Sequence, residues 1–366
     1  MMAERSKPIR IACVYIDRPC PDFKVTSMSG LRFFRMSEAL ARRGYDVDII
    51  LNRLDSPRRC GIRLREVPFK FVRWDDYDIV KTFFHRGFES LMNARGADHP
   101  FIVSKLGSVV GREQTPGVHF YGRVRERLFQ TQQEIARRSR YVTILTEQSA
   151  ELWQREHGNA VPLLRVPTGV DAHVPAPGPN PYTAIGIDRP VVLFAGNLYS
   201  REDQAEVNEF WQKRLNELGH RLKNHGLCLV AMGSGETDLL DPDAVIHLGK
   251  IDAIEYWNWQ HHASVGLVLA QGQVQDNESS KIYYYLRTGL PVVCERPVPN
   301  AWLVKETAHG AVVDFLDSDA IVDAAIRLAK ASPSLNGVVT HMIEQHSWDA
   351  RAALYEPIFE QARPRL

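Results

Sequence analysis

Residues 264–293 read SVGLVLAQGQVQDNESSKIYYYLRTGLPVV, and their alternation of apolar and polar runs decides the fold. SVGLVLA is a short apolar run of the kind that forms a buried strand. The polar stretch QDNESS leads into a helical segment that carries Lys281 and ends at Gly289, where glycine supplies the backbone freedom a helix C-terminus uses. PVVCE, residues 291–295, is a second apolar run. Two buried strands joined by a helix make a βαβ unit, whose strands lie parallel.

The same alternation extends in both directions. In the second half, PVVLFAG, a helix from about Gln204 to Asn224, LCLVAMG and VIHLG precede this unit. In the first half the strand-like runs are IRIACVYI, DVDIIL, DIVKTFF, PFIVSK and YVTILT. Phe33, Met36 and Leu40 lie at i, i+3 and i+7 between the first two, so one helix face is apolar until Gly44. Helices are also predicted over Gly122–Arg138 and Ser149–Glu156. Between the halves, residues 172–190 contain Pro175, Pro177, Pro179 and Pro181 and read as a linker. Restart of the alternation after this linker predicts an α/β protein of two Rossmann-like domains facing a central cleft. The expected boundaries are 1–172 with a crossing helix at 347–366, a linker at 173–189, and 190–346.

Composition fits that picture. The 366 residues exceed what one core normally spans, and 44% hydrophobic with 24% charged residues is ordinary for folded protein. The apolar run Ile9–Ile16 is too short for a membrane span and has no cleavage-like flank, so it reads as a buried first strand. Five scattered cysteines without CxxC or histidine spacing fit a reducing cytoplasm and argue against a zinc site. The net charge of +1 conceals +9 over residues 1–175 and −8 over the rest, a polarity that would orient the molecule on an anionic membrane surface. A solvated basic face would read the same way.

Ligands of open α/β sheets bind beyond the carboxyl ends of the strands, so chemistry is sought there. Gly30, in SMSGLRFF, opens a helix soon after the first strand and lets backbone N–H groups approach an anion. A GxGxxG fingerprint is absent: Gly233-Ser-Gly235 is its nearest match, and Asp238 stands where the third glycine belongs, which disfavours an NAD-type enzyme. No GxxxxGK[ST], HxxxH or HExxH spacing occurs. His261 and His262 are adjacent and would diverge on a helix, so they read as packing or surface residues rather than metal ligands. More informative is a set in the second half, each member just past a strand end: Asn197 and Arg201, Gly233, the turn Gly249-Lys250-Ile251, and Glu278, Ser279, Ser280 and Lys281. Lys281 and Arg201 can neutralise a diphosphate, Ser279 and Ser280 can cap a helix toward it, and the Lys250–Ile251 turn can receive a base.

These blocks resemble GT-B glycosyltransferases of the GT4-like superfamily, in order, over nearly the whole chain. SGLRFFRMSEALARRGYDVDII resembles that family's glycine loop, first helix and second strand, and DIVKTFFH its next strand. VPTGVD resembles the segment before its linker; LFAGNL, VAMGSGE, IHLGKID and SSKIYYYLRTGLPVV resemble its donor domain; HSWDARAALYEPIFEQ resembles its final helix. The family's acidic pair eight residues apart falls on Asp276 and Tyr284, so the carboxylate that would touch the ribose is replaced. Asn197 replaces the arginine of the family's GRLxxxKG loop, and the histidine after the fourth strand is absent from SKLGSVVG. In family members with an SxK-like version of this helix, a lysine similar to Lys281 serves the diphosphate, and the altered set is similar to the branch of bacterial exopolysaccharide enzymes that includes the xanthan glucuronosyltransferase.

That resemblance implies metal-independent transfer of a sugar from a nucleotide-sugar, a UDP-sugar, to a glycan or lipid-linked acceptor, with no resident cofactor and no nucleic-acid partner. An inverting reaction would need a base from the first half; His85, Glu113, His119 and Glu147 stand at predicted strand or loop ends. Two other readings remain open. A nucleotide-sugar 2-epimerase shares the fold and the donor, and a non-catalytic binding protein of the same fold would explain the carboxylate missing at Tyr284.

Overall fold

A computed structural model describes residues 7–15, 28–51, 56–94, 98–113, 122–273, 275–331 and 335–363. The chain divides into two compact units, one of Met1–Asp171 with His346–Leu366 and one of Ala172–Gln345.

In the first unit the strands are β1 (Arg10–Val14), β2 (Asp46–Leu51), β3 (Arg58–Arg59), β4 (Leu64–Pro68), β5 (Ile79–Phe83), β6 (Ile102–Lys105), β7 (Tyr141–Ile144) and β8 (Leu163–Arg165). Among the described residues they form one sheet in the order β3-β4-β2-β1-β5-β6-β7-β8. All neighbours pair parallel except the short β3, which runs antiparallel to β4. Helices α1 (Met28–Arg42), α2 (Phe84–Met92), α3 (Gly122–Arg138) and α4 (Glu147–His157) alternate with the strands. Phe33, Met36 and Leu40 are buried on α1, and Gly44, at φ +97°, turns the chain toward β2.

The second unit holds β9 (Val191–Ala195), β10 (Cys228–Met232), β11 (Val245–His247), β12 (Val265–Val268), β13 (Val292–Glu295) and β14 (Gly310–Val313), parallel in the order β11-β10-β9-β12-β13-β14. Its helices are α5 (Pro181–Ala184), α6 (Arg201–Asn224), α7 (Ala253–His262), α8 (Ser280–Arg287), α9 (Trp302–Glu306) and α10 (Ser318–Lys330). After α11 (Leu335–His346), α12 (Trp348–Ala353) and α13 (Glu356–Phe359) belong to the first unit, where Trp348, Tyr355 and Phe359 are buried in the same core as Phe33 and Leu40.

Two local expectations change. The proline-rich stretch contains α5, because Pro181 sits at the helix start, where a missing N–H costs nothing, and Asn180 Oδ1 accepts from Tyr182 N at 2.9 Å. Tyr182 is buried and donates its hydroxyl to Trp259 O, so this stretch is strapped to α7. Helix α6 begins earlier than predicted, at Arg201, yet Gln204 (φ −146°, ψ 48°) breaks its first turn from the rest. Regular helix therefore starts beyond Gln204. No helix among the described residues is long and apolar enough to cross a membrane.

Candidate functional site

In each sheet the connections run outward in both directions from one pair of strands, β1/β5 in the first unit and β9/β12 in the second. Such a switch point leaves a crevice at the carboxyl ends of the strands, because the flanking helices go to opposite faces.

In the second unit α8 is fixed against this crevice by Tyr285, which is fully buried, donates to Leu193 O (3.2 Å) and accepts from Ala195 N (3.0 Å). Gly266 in β12 makes room for it; a Cβ there would come within 2.4 Å of the Tyr285 ring. Lys281 lies four residues earlier and so shares the face of Tyr285, one turn nearer the strand ends. Its ammonium lies 5.6 Å from the centre of the Phe194 ring, and its Cε would be 3.5 Å from a Cβ on Gly196. Burial pushes the Lys281 ammonium down to about 8, against the nearby Cys294 thiol, which acts the other way. At neutral pH it stays mostly protonated, and an anion beside it would raise it again.

Backbone donors surround that cation. Ser279 occupies the N-cap of α8 but its side chain makes no capping bond, and its buried Oγ has no hydrogen-bond partner among the described residues. The residue is held instead by Asn300, whose Oδ1 accepts from Ser279 N (2.8 Å) and whose Nδ2 donates to Ser279 O (2.9 Å). The first turn of α8, with Ser280 as its first residue, therefore presents N–H groups without a side-chain cap beside Lys281.

Opposite, the loops after β9 and β10 are zipped together. Gly196 N donates to Met232 O, Leu198 N to Ser234 O, and Gly233 N to Gly249 O. Gly233, at φ +151°, approaches so closely that a Cβ would lie 1.8 Å from Gly196 O. Exposed Asn197 accepts through Oδ1 from Ser234 Oγ (3.1 Å) and Tyr199 N (3.3 Å). Tyr199 is left-handed at φ +66° and accepts through its hydroxyl from Gln271 Nε2 at 2.7 Å. Lys250 is exposed and Ile251 half-buried in the turn after β11. Arg201 opens α6, and its side chain lies outside the described residues.

Other positions differ from their expected roles. Tyr284 points into packing: it is buried, with its ring 5.4 Å from that of Trp257. Glu278 is buried and accepts from Tyr283 OH at 3.0 Å, so it braces α8 from within. In the first unit His85 does not end a strand. Phe84, at φ +58°, reverses the chain directly into α2, and His85 is buried on that helix with Nε2 unpartnered among the described residues. Burial, partly offset by the nearby Gln132 amide, pushes its imidazolium down to about 4. Glu147 is the first residue of α4, exposed, with Arg165 at 3.5 Å; it complements the helix dipole. Glu113 is exposed, His119 lies outside the described residues, and Gly30 is the third residue of α1, whose preceding loop lies outside them too.

Sequence reasoning missed Gly196, Asn300 and Gln271. Gly196 was visible as a glycine directly after a strand; Asn300, twenty-one residues from Ser279, had no local signal. Among the described residues no group of three or more His, Cys, Asp or Glu is placed to hold a metal ion.

No protein-family model and no curated protein matches the sequence. Solved structures do. Sucrose-phosphate synthase of Thermosynechococcus elongatus is 15% identical, with 96% of this chain and 98% of that chain covered at a TM-score of 0.69. WaaG, a glycosyltransferase involved in lipopolysaccharide biosynthesis, is 14% identical over 98% and 100% at 0.59. HepE of Anabaena, solved with UDP and glucose, is 12% identical over 96% and 99% at 0.62. At such identities the likeness speaks for architecture: the chain has the GT-B fold of these glycosyltransferases.

Proposed function

We propose that the chain is a glycosyltransferase that takes a sugar from a nucleoside diphosphate, a UDP-sugar, held by the second unit, and passes it to a glycan or lipid-linked acceptor in bacterial polysaccharide or glycoconjugate synthesis. The observation that carries this is the juxtaposition of the Lys281 ammonium, the α8 N-terminus without a side-chain cap, and the glycine-lined loops at the β9/β12 switch point. A diphosphate needs that combination: a cation, several N–H donors, and backbone free of side chains. HepE, solved with UDP and glucose, and trehalose-6-phosphate synthase, bound to UDP-2-fluoroglucose, have the same fold and add support for this donor class.

In this reading the glycosidic C–O bond to the leaving diphosphate breaks as the anomeric carbon gains oxocarbenium character. Lys281 and the α8 amides stabilise the negative charge that accumulates on the departing oxygen, without a metal ion. The basic first half would orient the protein toward an anionic membrane bearing the acceptor.

The test is a thermal-shift screen of UDP, GDP, ADP and TDP with their sugars, since a ligand that binds only the folded chain raises Tm. UDP compounds should shift it most. No shift with any of them would remove the proposal, and product formed from a UDP-sugar without any acceptor would favour the 2-epimerase reading instead.

A further inference from the structure

Lys281 is held in place through its backbone. Among the described residues its ammonium makes no hydrogen bond and no ion pair; its contact is the Phe194 ring, whose centre lies 5.6 Å away. A lysine is a point charge on a flexible stem, so without a partner of its own it goes where its Cα is fixed. The residues that anchor the start of α8 therefore decide where this charge lies.

Two anchors bracket it. Tyr285, four residues on, ties α8 to β9. Two residues before Lys281, the N–H and the C=O of Ser279 are both gripped by one side chain, that of Asn300, at 2.8 and 2.9 Å. A serine at an N-cap ordinarily secures its own helix by accepting from the first turn; Ser279 does not, and the distant carboxamide takes over the task of fixing the helix start. The clamp is itself firmly seated. Asn300 is 2% exposed and lies in the turn between β13 and α9, where Val298 N donates to Glu295 O, Ala301 N to Val298 O and Leu303 N to Asn300 O. Glu295, at the end of β13, is in turn paired with Arg214 and accepts from Ala270 N. A continuous run of hydrogen bonds thus leads from the sheet through Asn300 to the peptide groups just ahead of the lysine.

We propose that Asn300 is a positioning residue for the donor: its carboxamide fixes the start of α8 so that the Lys281 ammonium stays at the switch point to meet a diphosphate. This rests on the nucleotide-sugar reading. Ligand-observed NMR titration of UDP into the full chain compares the wild type, Asn300→Ala, Lys281→Ala and the double variant at pH 7. Asn300→Ala should bind about tenfold more weakly, because a displaced lysine keeps part of its attraction. The double variant should match Lys281→Ala within about twofold, since a residue that acts through the lysine has nothing to act on once the lysine is gone. Wild-type affinity in Asn300→Ala, or an equal loss in both backgrounds, as a merely structural residue would give, overturns the proposal. The pH dependence is a second readout, and it decides alone if the Lys281→Ala complex is too weak to measure. Among the described residues the titratable group that acts on Lys281 is the Cys294 thiol of β13, which burial pushes up and keeps neutral from pH 7 to pH 9. The fall in wild-type affinity over that range, as Lys281 near 8 loses its proton, should shrink in Asn300→Ala, where the released ammonium returns toward the ordinary lysine range. An unchanged fall overturns the proposal. Asn300→Ser carries the same expectations and serves if Asn300→Ala does not fold. No UDP binding by the wild type, or equal binding by Lys281→Ala, removes the donor reading and this inference with it, whereas the other contrary outcomes leave that reading standing.

Discussion

The two switch points have the same topology and opposite chemistry. In the second unit the loops after β9 and β10 are opened by Gly196 and Gly233 and lie near a lysine on a helix whose N-cap serine makes no side-chain capping bond. In the first unit the ends of β1 and β5 are filled: Tyr15 packs edge-on to Phe33 (5.3 Å) and Phe84 (5.5 Å), and a Cβ on Gly107 would strike the Phe84 ring at 2.9 Å. Behind that cluster Lys81 is fully buried, its ammonium 3.9 Å from the centre of the Tyr355 ring and unpartnered among the described residues, and burial holds it well below the usual lysine range. One fold thus has polar, glycine-opened strand ends in one unit and strand ends packed with aromatic rings in the other. Function follows from the side chains at the switch point, and the topology supplies only the place.

Breaking the scaffold under the polar crevice should have the largest effect. Arg214 and Glu295 form a buried ion pair, and Glu295 also accepts from Ala270 N and Leu316 N, both at 2.7 Å. Glu295→Ala leaves a buried guanidinium unpaired and should cost about 3–5 kcal/mol in denaturant unfolding. Gly233→Ala forces a methyl group into Gly196 O and should cost about 2–4 kcal/mol while deforming the loop pair, read as a lower Tm together with lost UDP binding.

The first unit responds to acid rather than to ligand. His85 titrates near 6.5 when unfolded and near 4 when folded, so the unfolded chain binds the proton first. Stability is fully present above pH 6.5 and falls by up to about 3 kcal/mol as pH drops to 4. His85→Asn should flatten that part of the pH profile; an unchanged slope would show that this imidazole is not buried as described. The smallest effect belongs to Glu147→Gln. Its exposed pairing with Arg165 should be worth less than about 0.5 kcal/mol, and a large loss of turnover would instead make it the base.

Much of this contrast was legible in the sequence, for identifiable reasons. Runs such as PVVLFAG and SVGLVLA are buried on both faces, so they carry an uninterrupted apolar signal, and Gly289 ends α8 at φ +76° as a glycine there should. Lys281 was legible because it follows the helix cap by two residues. What escaped was set by long-range contact or by backbone that local propensity disfavours. Phe84 and Tyr199 adopt positive φ, which no sequence rule assigns to an aromatic residue, and the first of these moved His85 from a strand end into a helix. Tyr284 stands where the resembled family has its ribose carboxylate, but its partner Trp257 lies on α7, a neighbour only in the folded chain.

Donor binding rests most on Lys281 acting as a cation toward a diphosphate, and calorimetric titration of UDP into the wild type and Lys281→Ala at pH 7 and pH 9 tests this most directly. Loss of one charge-assisted partner should weaken binding about 100-fold at pH 7. Affinity of the wild type should also fall from pH 7 to pH 9, as the free ammonium, near 8, gives up its proton, whereas the alanine variant should show no such step. Equal affinity of the two proteins at pH 7, or no UDP binding by either, would contradict the assignment.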